Sequence, residues 1–154
     1  MNSNFNPLSP EELVSRINKI PRIRLAQLPT VLEYAPNISK ELNINLYIKR
    51  DDCTALAFGG NKTRHLEFIM AKTLSEEYDC ILTGAASQSN FCRQAVAAAN
   101  KLNLDSYLVL MHGIKGKLMQ GNFLLYNILG ANVEVVDGEN LEEIPKHLDR
   151  KYSQ

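Results

Sequence analysis

Residues 43–68 read NINLYIKRDDCTALAFGGNKTRHLEF, and this stretch predicts a strand, a loop and a helix in succession. The part from Ile44 to Ile48 alternates apolar and polar side chains and contains β-prone residues, which is typical of a strand. The pair Gly59-Gly60 then gives the backbone freedom to turn without side-chain bulk. Apolar side chains recur at helical spacing after this pair, so the stretch places Lys62 in the first turn of a helix.

Lys62 is the candidate reactive residue. Asn61 can cap its helix, and Leu66, Ile69 and Met70 share its helical face, so the amine is expected at the inner end of an apolar stripe. The positive end of the helix dipole and partial burial both favour the neutral amine, which condensation with a carbonyl group requires. The residues therefore predict a Schiff base between Lys62 and an aldehyde cofactor. They leave open a simpler alternative, in which the lysine stem covers the helix end and its charged head reaches water.

A second polar segment, Gly84 to Asn90, follows a predicted buried strand and leads into an alanine-rich helix that Ser87 or Ser89 can cap. Free backbone N–H groups in such a turn, together with the hydroxyl of Ser89, attract an anionic oxygen. The side-chain amide of Asn90 both donates and accepts, so it can orient a substituent of a planar ring. The alternative is that Ser89 and Asn90 only cap and start the helix.

The two polar segments resemble the signature of a family of pyridoxal-phosphate enzymes, those related to D-cysteine desulfhydrase and 1-aminocyclopropane-1-carboxylate (ACC) deaminase. The matching residues are Lys49-Arg50-Asp51-Asp52, Phe58-Gly59-Gly60-Asn61-Lys62-Thr63-Arg64, Leu66-Glu67-Phe68 and, in the expected order, Gln88-Ser89-Asn90 followed by Arg93-Gln94. The resemblance implies that Lys62 is catalytic and binds pyridoxal 5'-phosphate covalently, and that Asn61 and Asn90 also contact the cofactor. It further implies that Ser89 is a catalytic residue beside the substrate carboxylate and that Gln88 contributes to substrate binding.

Strands and helices alternate along the chain, which predicts an α/β fold with an open parallel sheet and flanking helices. Beyond the two polar segments, strands are predicted over 107–111 and 132–136, with a helix over 119–129 between them. Near the start of the chain, Ser9-Pro10-Glu11-Glu12 has the form of a capped helix start.

The resemblance implies a fold-type-II architecture with a small domain and part of a large domain. Residues 1–52 are assigned to the large domain, residues 53–140 to the small domain that carries the cofactor lysine, and residues 141–154 to the start of an interdomain helix.

The outer face of the Lys62 helix is predicted to be solvated. Arg64, His65 and Lys72 are assigned to this face. Glu67 lies at helical spacing from Arg64, so these two side chains can form an ion pair, which would be a structural contact.

The composition limits the classes of function that the chain is expected to have. The 154 residues, of which 45% are hydrophobic, are enough for one core. The charges balance formally to +0 and no long basic run occurs, so neither nucleic acid nor a membrane is an expected partner. A polar start and the lack of an apolar run of roughly 20 residues predict a cytoplasmic protein. The three cysteines lack a CxxC pair and the three histidines are scattered, so no metal site is predicted.

The activity that the resemblance implies is that of a pyridoxal-phosphate-dependent lyase or deaminase acting on a small amino acid. The favoured reaction is β-elimination of the D-cysteine desulfhydrase type, which yields sulfide, pyruvate and ammonia. Phe91 stands where relatives commonly carry a polar residue, whereas opening the ACC ring requires more polar groups. Deamination of ACC stays the alternative.

Family members are longer than this chain, and no glycine-rich loop for the cofactor phosphate follows the two polar segments. The sequence is therefore interpreted as the N-terminal part of such an enzyme. The full-length protein is expected to be a homo-oligomer, or the chain is expected to pair with a separately encoded C-terminal half. A catalytically silent chain is the remaining alternative.

Overall fold

The computed structural model describes residues 7–111 and 118–136, which form an α/β fold with five α-helices and five strands in the described ranges. The elements in chain order are α1 (Pro10–Ile17), β1 (Leu32–Tyr34), α2 (Pro36–Leu42), β2 (Tyr47–Lys49), α3 (Lys62–Ser75), β3 (Cys80–Ala86), α4 (Asn90–Lys101), β4 (Asp105–Met111), α5 (Gly121–Ile128) and β5 (Asn132–Val136). Two short 3-10 turns, Asp51–Cys53 and Leu56–Phe58, lie between β2 and α3.

The main sheet is parallel and has the order β3-β4-β5. Gly84 on β3 is paired with Val109 on β4, which is in turn paired with Glu134 on β5. Residues 108–111 of the central strand are all buried, as expected for a parallel strand that is covered on both faces. The predicted fold class, an α/β fold with a parallel sheet and flanking helices, is confirmed.

Helix α4 lies at the centre of the packing. Its small residues Ala95, Ala98 and Ala99 contact the α3 residues Leu66 and Met70 in one buried cluster. A second cluster joins the other side of α4 to the sheet and to α5, and its buried members are Cys92, Val96, Leu108, Leu110, Phe123 and Tyr126. Because alanine side chains are short, α3 can approach α4 closely, and polar groups at the starts of both helices come within reach of each other.

The N-terminal part of the chain forms separate local structure. The predicted capping box is confirmed: Ser9 accepts a hydrogen bond from the backbone N–H of Glu12, whose carboxylate accepts one from the Ser9 N–H. The strand predicted before the charged cluster begins only at Tyr47, and it pairs antiparallel with β1 in a two-stranded sheet of its own. This strand therefore does not extend the parallel sheet.

Helix α3 begins at Lys62 as predicted, but its buried face differs from the predicted apolar stripe. The buried residues are Thr63, Leu66, Glu67, Met70 and Ala71, whereas Ile69 is 46% exposed. The stripe is rotated because Thr63 and Glu67 find polar partners inside the fold. Lys62 is half-buried at the edge of this face.

Two local predictions on α3 are wrong. Asn61 makes no capping hydrogen bond with its side chain, because its backbone is already in the right-handed helical region. Arg64 and Glu67 do not pair with each other: Arg64 binds Asp51, and Glu67 binds Arg22. Partners from other segments thus replace the neighbour on the same helix, and Arg64 does not belong to a solvated face.

The assignment of residues 1–52, 53–140 and 141–154 to different domains stays a prediction, and the last range lies outside the described residues. Within residues 7–111 and 118–136, no helix is long and apolar enough to span a bilayer. The same residues contain no group of three or more histidine, cysteine, aspartate or glutamate side chains arranged to hold a metal ion.

Candidate active site

The loop that leads to Lys62 is held closed by the side chain of Thr54, which is fully buried. Its Oγ1 accepts a hydrogen bond from the backbone N–H of Gly60 at 2.9 Å and lies 2.9 Å from the Gly60 carbonyl oxygen. Gly59 has a φ of +73°, and a Cβ there would lie 1.8 Å from the carbonyl oxygen of Asp52. Only glycine fits this position, so the loop is constrained immediately before the helix that carries Lys62.

Gln94 connects the start of α3 to the start of α4. It is fully buried, and its Oε1 accepts hydrogen bonds from Thr63 N at 2.8 Å and from Thr63 Oγ1 at 2.7 Å. Its Nε2 donates to the carbonyl oxygen of Asn90 at 3.2 Å. A Cβ at Gly60, where φ is +131°, would lie 2.5 Å from the same Nε2. The residues on either side of Lys62 are therefore packed against the first turn of α4.

The side chain of Asn90 lies in a polar network at the start of α4. Its Oδ1 accepts hydrogen bonds from Arg93 Nη1 at 2.9 Å and from Asn122 Nδ2 at 3.0 Å. Arg93 Nη2 also donates to the carbonyl oxygen of Gly59 at 2.9 Å. The network therefore joins three segments: the glycine loop before Lys62, the first turn of α4 and the first turn of α5.

Of the two predicted cap residues, Ser89 is the one that caps α4, by accepting a hydrogen bond from the N–H of Cys92 at 3.3 Å. This bond uses an oxygen lone pair, so the hydroxyl proton is left to donate elsewhere. The carbonyl oxygen of Ser89 accepts a hydrogen bond from the hydroxyl of the buried Tyr126 at 2.8 Å. Burial also raises the pKa of Tyr126, so the phenol stays neutral and keeps its donor.

The side chain of Gln88 is largely occupied by contacts with the start of α5. Its Oε1 accepts a hydrogen bond from Asn122 N at 2.9 Å, and its Nε2 donates to the carbonyl oxygen of Gln120 at 3.0 Å. These contacts give Gln88 a structural role in joining α5 to the turn after β3. Its assignment to substrate binding stays a prediction.

Charged residues near Lys62 are paired with one another. The hydrogen bond from Arg64 lowers the pKa of Asp51 against the opposing effect of its own desolvation. On the neighbouring exposed surface, hydrogen bonds from Arg50 lower the pKa of Asp52 to about 2. The side chain of Lys62 makes no hydrogen bond or ion pair with any residue of the described ranges.

The structure thus joins the backbone on either side of Lys62 to the turn that carries Ser89 and Asn90, through contacts that the sequence reasoning did not assign. Arg93 and Gln94 belong to the motif that carries the resemblance, but the pattern assigns no role to either residue. Two polar residues at adjacent positions of an alanine-rich helix are the signal that could have indicated a buried polar contact, since such a helix otherwise packs through apolar residues.

Comparison with known proteins gives consistent results. The family model described as "Pyridoxal-phosphate dependent enzyme" matches residues 23–153. D-cysteine desulfhydrase of Klebsiella pneumoniae (strain 342) is 39% identical over 145 residues, which cover 88% of this chain and 44% of the relative. A protein of Pyrococcus horikoshii that is provisionally named 1-aminocyclopropane-1-carboxylate deaminase is 39% identical over 139 residues, or 90% of this chain and 42% of that protein.

A solved crystal structure described as that of an ACC deaminase homologue is also similar. It superposes with a TM-score of 0.79 at 37% sequence identity, covering 94% of this chain and 45% of the other. The chain therefore spans less than half of the length of the relatives that it matches.

Proposed function

The chain belongs to the family of pyridoxal-phosphate-dependent enzymes, and from this premise we propose that it supplies the cofactor-binding lysine of a lyase that acts on a small amino acid. Lys62 is the residue that we assign to covalent binding of the cofactor aldehyde. The observation that carries the proposal is the buried side chain of Gln94, which joins the helix start at Lys62 to the turn at Asn90. A lysine and a ring-binding amide held on one rigid unit are what a covalently bound planar cofactor requires.

The side chains around this junction fit such a cofactor. Lys62 is half-buried, and its side chain makes no hydrogen bond or ion pair with the described part of the chain. Asn90 is exposed, and its Oδ1 is occupied by two donors, which leaves its NH2 group to donate to the ring oxygen of the cofactor. Asn61 is exposed one residue before Lys62, where it can contact the cofactor without capping the helix.

Pyridoxal phosphate, when bound, supplies an electron sink for negative charge that develops at the α-carbon of an amino-acid substrate. Lys62 holds the cofactor and, as a free amine, moves a proton at that α-carbon. The hydroxyl of Ser89, with its proton not used by the helix cap, donates to the substrate carboxylate. The backbone N–H groups at the start of α4 add attraction for the same anion, and Gln88 orders the turn that presents them.

D-cysteine is the substrate that we favour, with β-elimination to sulfide, pyruvate and ammonia. Phe91, the residue after Asn90, is half-buried and packs against both core clusters. Phe91 therefore offers no polar group to a substrate, whereas ring opening needs further polar groups. Similar proteins of Klebsiella pneumoniae and Salmonella paratyphi C carry the name D-cysteine desulfhydrase. Deamination of ACC to 2-oxobutyrate and ammonia is the second candidate.

Covalent labelling tests the lysine assignment. The purified chain is mixed with pyridoxal phosphate, the imine absorbance near the visible edge is recorded, and the adduct is reduced with borohydride and mapped by peptide mass spectrometry. The label is expected at Lys62 and is expected to disappear in Lys62→Ala. Lys72→Ala, a change of an exposed lysine on the same helix, serves as the matched control and should keep the label. A label that maps to another lysine would refute the assignment.

Turnover tests the activity. Because the chain spans 44% of the length of the K. pneumoniae relative, we propose that turnover requires a second polypeptide equivalent to the rest of that relative. The isolated chain is expected to bind cofactor weakly and to release no pyruvate from D-cysteine, and co-expression with such a polypeptide is expected to produce pyruvate and sulfide. Production of 2-oxobutyrate from ACC by the same complex, without pyruvate from D-cysteine, would select the second candidate. Turnover by the isolated chain would contradict the requirement for a second polypeptide.

A further inference from the structure

We propose that Arg93 and Asn122 are positioning residues that turn the side-chain amide of Asn90, so that its NH2 group faces an anionic oxygen of a bound ligand. The identity of that ligand, pyridoxal phosphate, rests on the proposed function. The orientation of the amide is a property of the chain alone.

The first constraint on the amide comes from a main-chain carbonyl. An asparagine amide can face a neighbour with its oxygen or with its NH2 group, so only a neighbour of fixed polarity decides between them. The carbonyl oxygen of Gln88 can accept but cannot donate, and it lies 2.7 Å from Nδ2 of Asn122. The NH2 group of Asn122 must therefore face Gln88. The same nitrogen lies 3.0 Å from Asn90, which must present its Oδ1 there.

The second constraint is independent and comes from Arg93, whose guanidinium donates and never accepts. Its Nη1 lies 2.9 Å from Oδ1 of Asn90 and 2.9 Å from Oδ1 of Asn122. Its Nη2 is bound to the carbonyl oxygen of Gly59 at 2.9 Å, which keeps the group in place. Both constraints give the same orientation for both amides, because each faces the guanidinium with its oxygen.

The consequence is a free donor at a defined place. The NH2 group of Asn90 makes no hydrogen bond within the described part of the chain, and the residue is exposed. Asn90 is the first residue of α4, where the helix dipole favours negative charge. The phenolic oxygen of pyridoxal phosphate is an acceptor that suits this donor. Arg93 and Asn122 act on it only through Asn90.

Reversing the polarity of the neighbour tests the inference in the free chain. Asn122→Asp keeps the size of the side chain but leaves it without donors, and its carboxylate draws the shared Nη1 of Arg93 away from Asn90. With both donors to its Oδ1 lost, the Asn90 amide is expected to turn over and donate to the new carboxylate. In nitrogen-15 correlation spectra, the Asn90 NH2 pair, assigned by its loss in Asn90→Asp, should exchange quickly with water in the unchanged chain. In Asn122→Asp it should move downfield and exchange about tenfold more slowly. The matched control is Asn127→Asp, the same charge change at an exposed position of α5, which should leave the Asn90 signals in place.

A second variant tests the same inference without introducing the negative charge of an aspartate. Asn122→Leu combined with Arg93→Leu removes both donors to Asn90 Oδ1 without placing a carboxylate beside the Gln88 carbonyl. The Asn90 NH2 pair is then expected to lose its single environment and broaden. Backbone spectra show whether each variant is folded. If the Asn90 pair is unchanged in a folded Asn122→Asp chain or in a folded chain that carries both Asn122→Leu and Arg93→Leu, the inference is overturned. It is also overturned if the pair is already protected from water in the unchanged chain.

Titration with pyridoxal phosphate then separates this inference from the proposed function. In the unchanged chain the cofactor should shift the Asn90 NH2 signals, and in Asn122→Asp its apparent affinity should fall about tenfold, since one hydrogen bond to a charged oxygen is lost. If the cofactor does not bind the unchanged chain, the proposed function fails, while the spectra of the free chain still decide the orientation. Equal affinity in Asn122→Asp, with the amide turned over, would overturn the positioning role itself.

Discussion

Replacing Gln94 with leucine removes the acceptor that holds the start of the Lys62 helix, with little change in side-chain volume. In the structure Oε1 of this fully buried residue accepts bonds from Thr63 N at 2.8 Å and from Thr63 Oγ1 at 2.7 Å. A buried donor left without a partner costs about 1–3 kcal/mol. The Thr63 N–H keeps a long contact of 3.4 Å with the Gly60 carbonyl oxygen, so the cost of losing its bond to Gln94 lies at the low end of this range. The expected loss in the free energy of unfolding is about 2–4 kcal/mol for Gln94→Leu.

A double-mutant cycle isolates the contact from general effects of the substitution. Thr63→Val removes one of the two donors and keeps the other. In that background Gln94→Leu is expected to cost about 1–2 kcal/mol less than in the unchanged chain. Urea unfolding followed by far-ultraviolet circular dichroism provides the measurement, because the chain contains no tryptophan. Equal slopes with urea concentration across the four proteins are required for the comparison.

The control is a side-chain hydrogen bond at an exposed position, where loss of the bond leaves no buried group without a partner. Asn100→Ala removes a short side-chain bond of 2.6 Å to the Leu129 carbonyl oxygen, but at an exposed position, and it should cost under about 1 kcal/mol. If the effects of Thr63→Val and Gln94→Leu are simply additive, the two side chains do not interact energetically. The argument that Gln94 fixes the position of Lys62 would then be wrong.

Stability should also depend on pH through Glu67: burial alone raises the pKa of this carboxyl, but hydrogen bonds from two backbone N–H groups and an arginine outweigh burial, so the pKa lies below the ordinary 4.5. The stabilising contribution of the ionised carboxylate is therefore complete above pH 4.5 and declines as the pH falls through the lower folded-state pKa. As the solution is acidified, the urea midpoint should fall less for Glu67→Gln than for the unchanged chain. Parallel curves of urea midpoint against pH would contradict this. Gly130→Ala, with open space around the new Cβ, should lower the free energy of unfolding by about 1–2 kcal/mol, measured by thermal unfolding. Gly60→Ala should lower it clearly more, because its Cβ meets the buried side-chain amide of Gln94. Equal losses for the two variants would contradict this packing. Tyr126→Phe should cost about 1 kcal/mol through the lost bond to the α4 cap residue, whereas Tyr78→Phe, at a 59% exposed site, should change the thermal midpoint little; equal shifts would contradict the role of the buried hydroxyl.

The features that the sequence predicted correctly depend on local signals. The helix start at Lys62, the cap at Ser89 and the strand 132–136 all follow from residue types within a few positions of each other. The parallel arrangement of the sheet follows from the alternation of such elements. Local chemistry decides these features, so one sequence is sufficient to infer them.

The contacts that hold the candidate site together are of a different kind. Thr63 and Gln94 are 31 positions apart, and Gln88 and Asn122 are 34 positions apart. Whether two such side chains meet depends on the rotation and approach of whole helices, which small residues such as Ala98 permit but do not specify. The motif residues could therefore be recognised, while their partners could not be inferred from spacing.

The ion pairs on α3 show how contacts between distant segments override a contact predicted from local spacing. The predicted pair between Arg64 and Glu67 is wrong because both side chains find better partners in other segments, Asp51 and Arg22. Glu67 is fully buried and also accepts two backbone hydrogen bonds, so a short pair on the helix surface cannot compete. Asp51 and Glu67, which lie on either side of Lys62 in the sequence, are thus each bound by an arginine. A lysine that must react as a neutral amine is hindered by a carboxylate partner, which favours the charged form. The same long-range pairs that upset the local prediction therefore leave Lys62 without an ion pair in the described part of the chain, as its proposed chemistry requires.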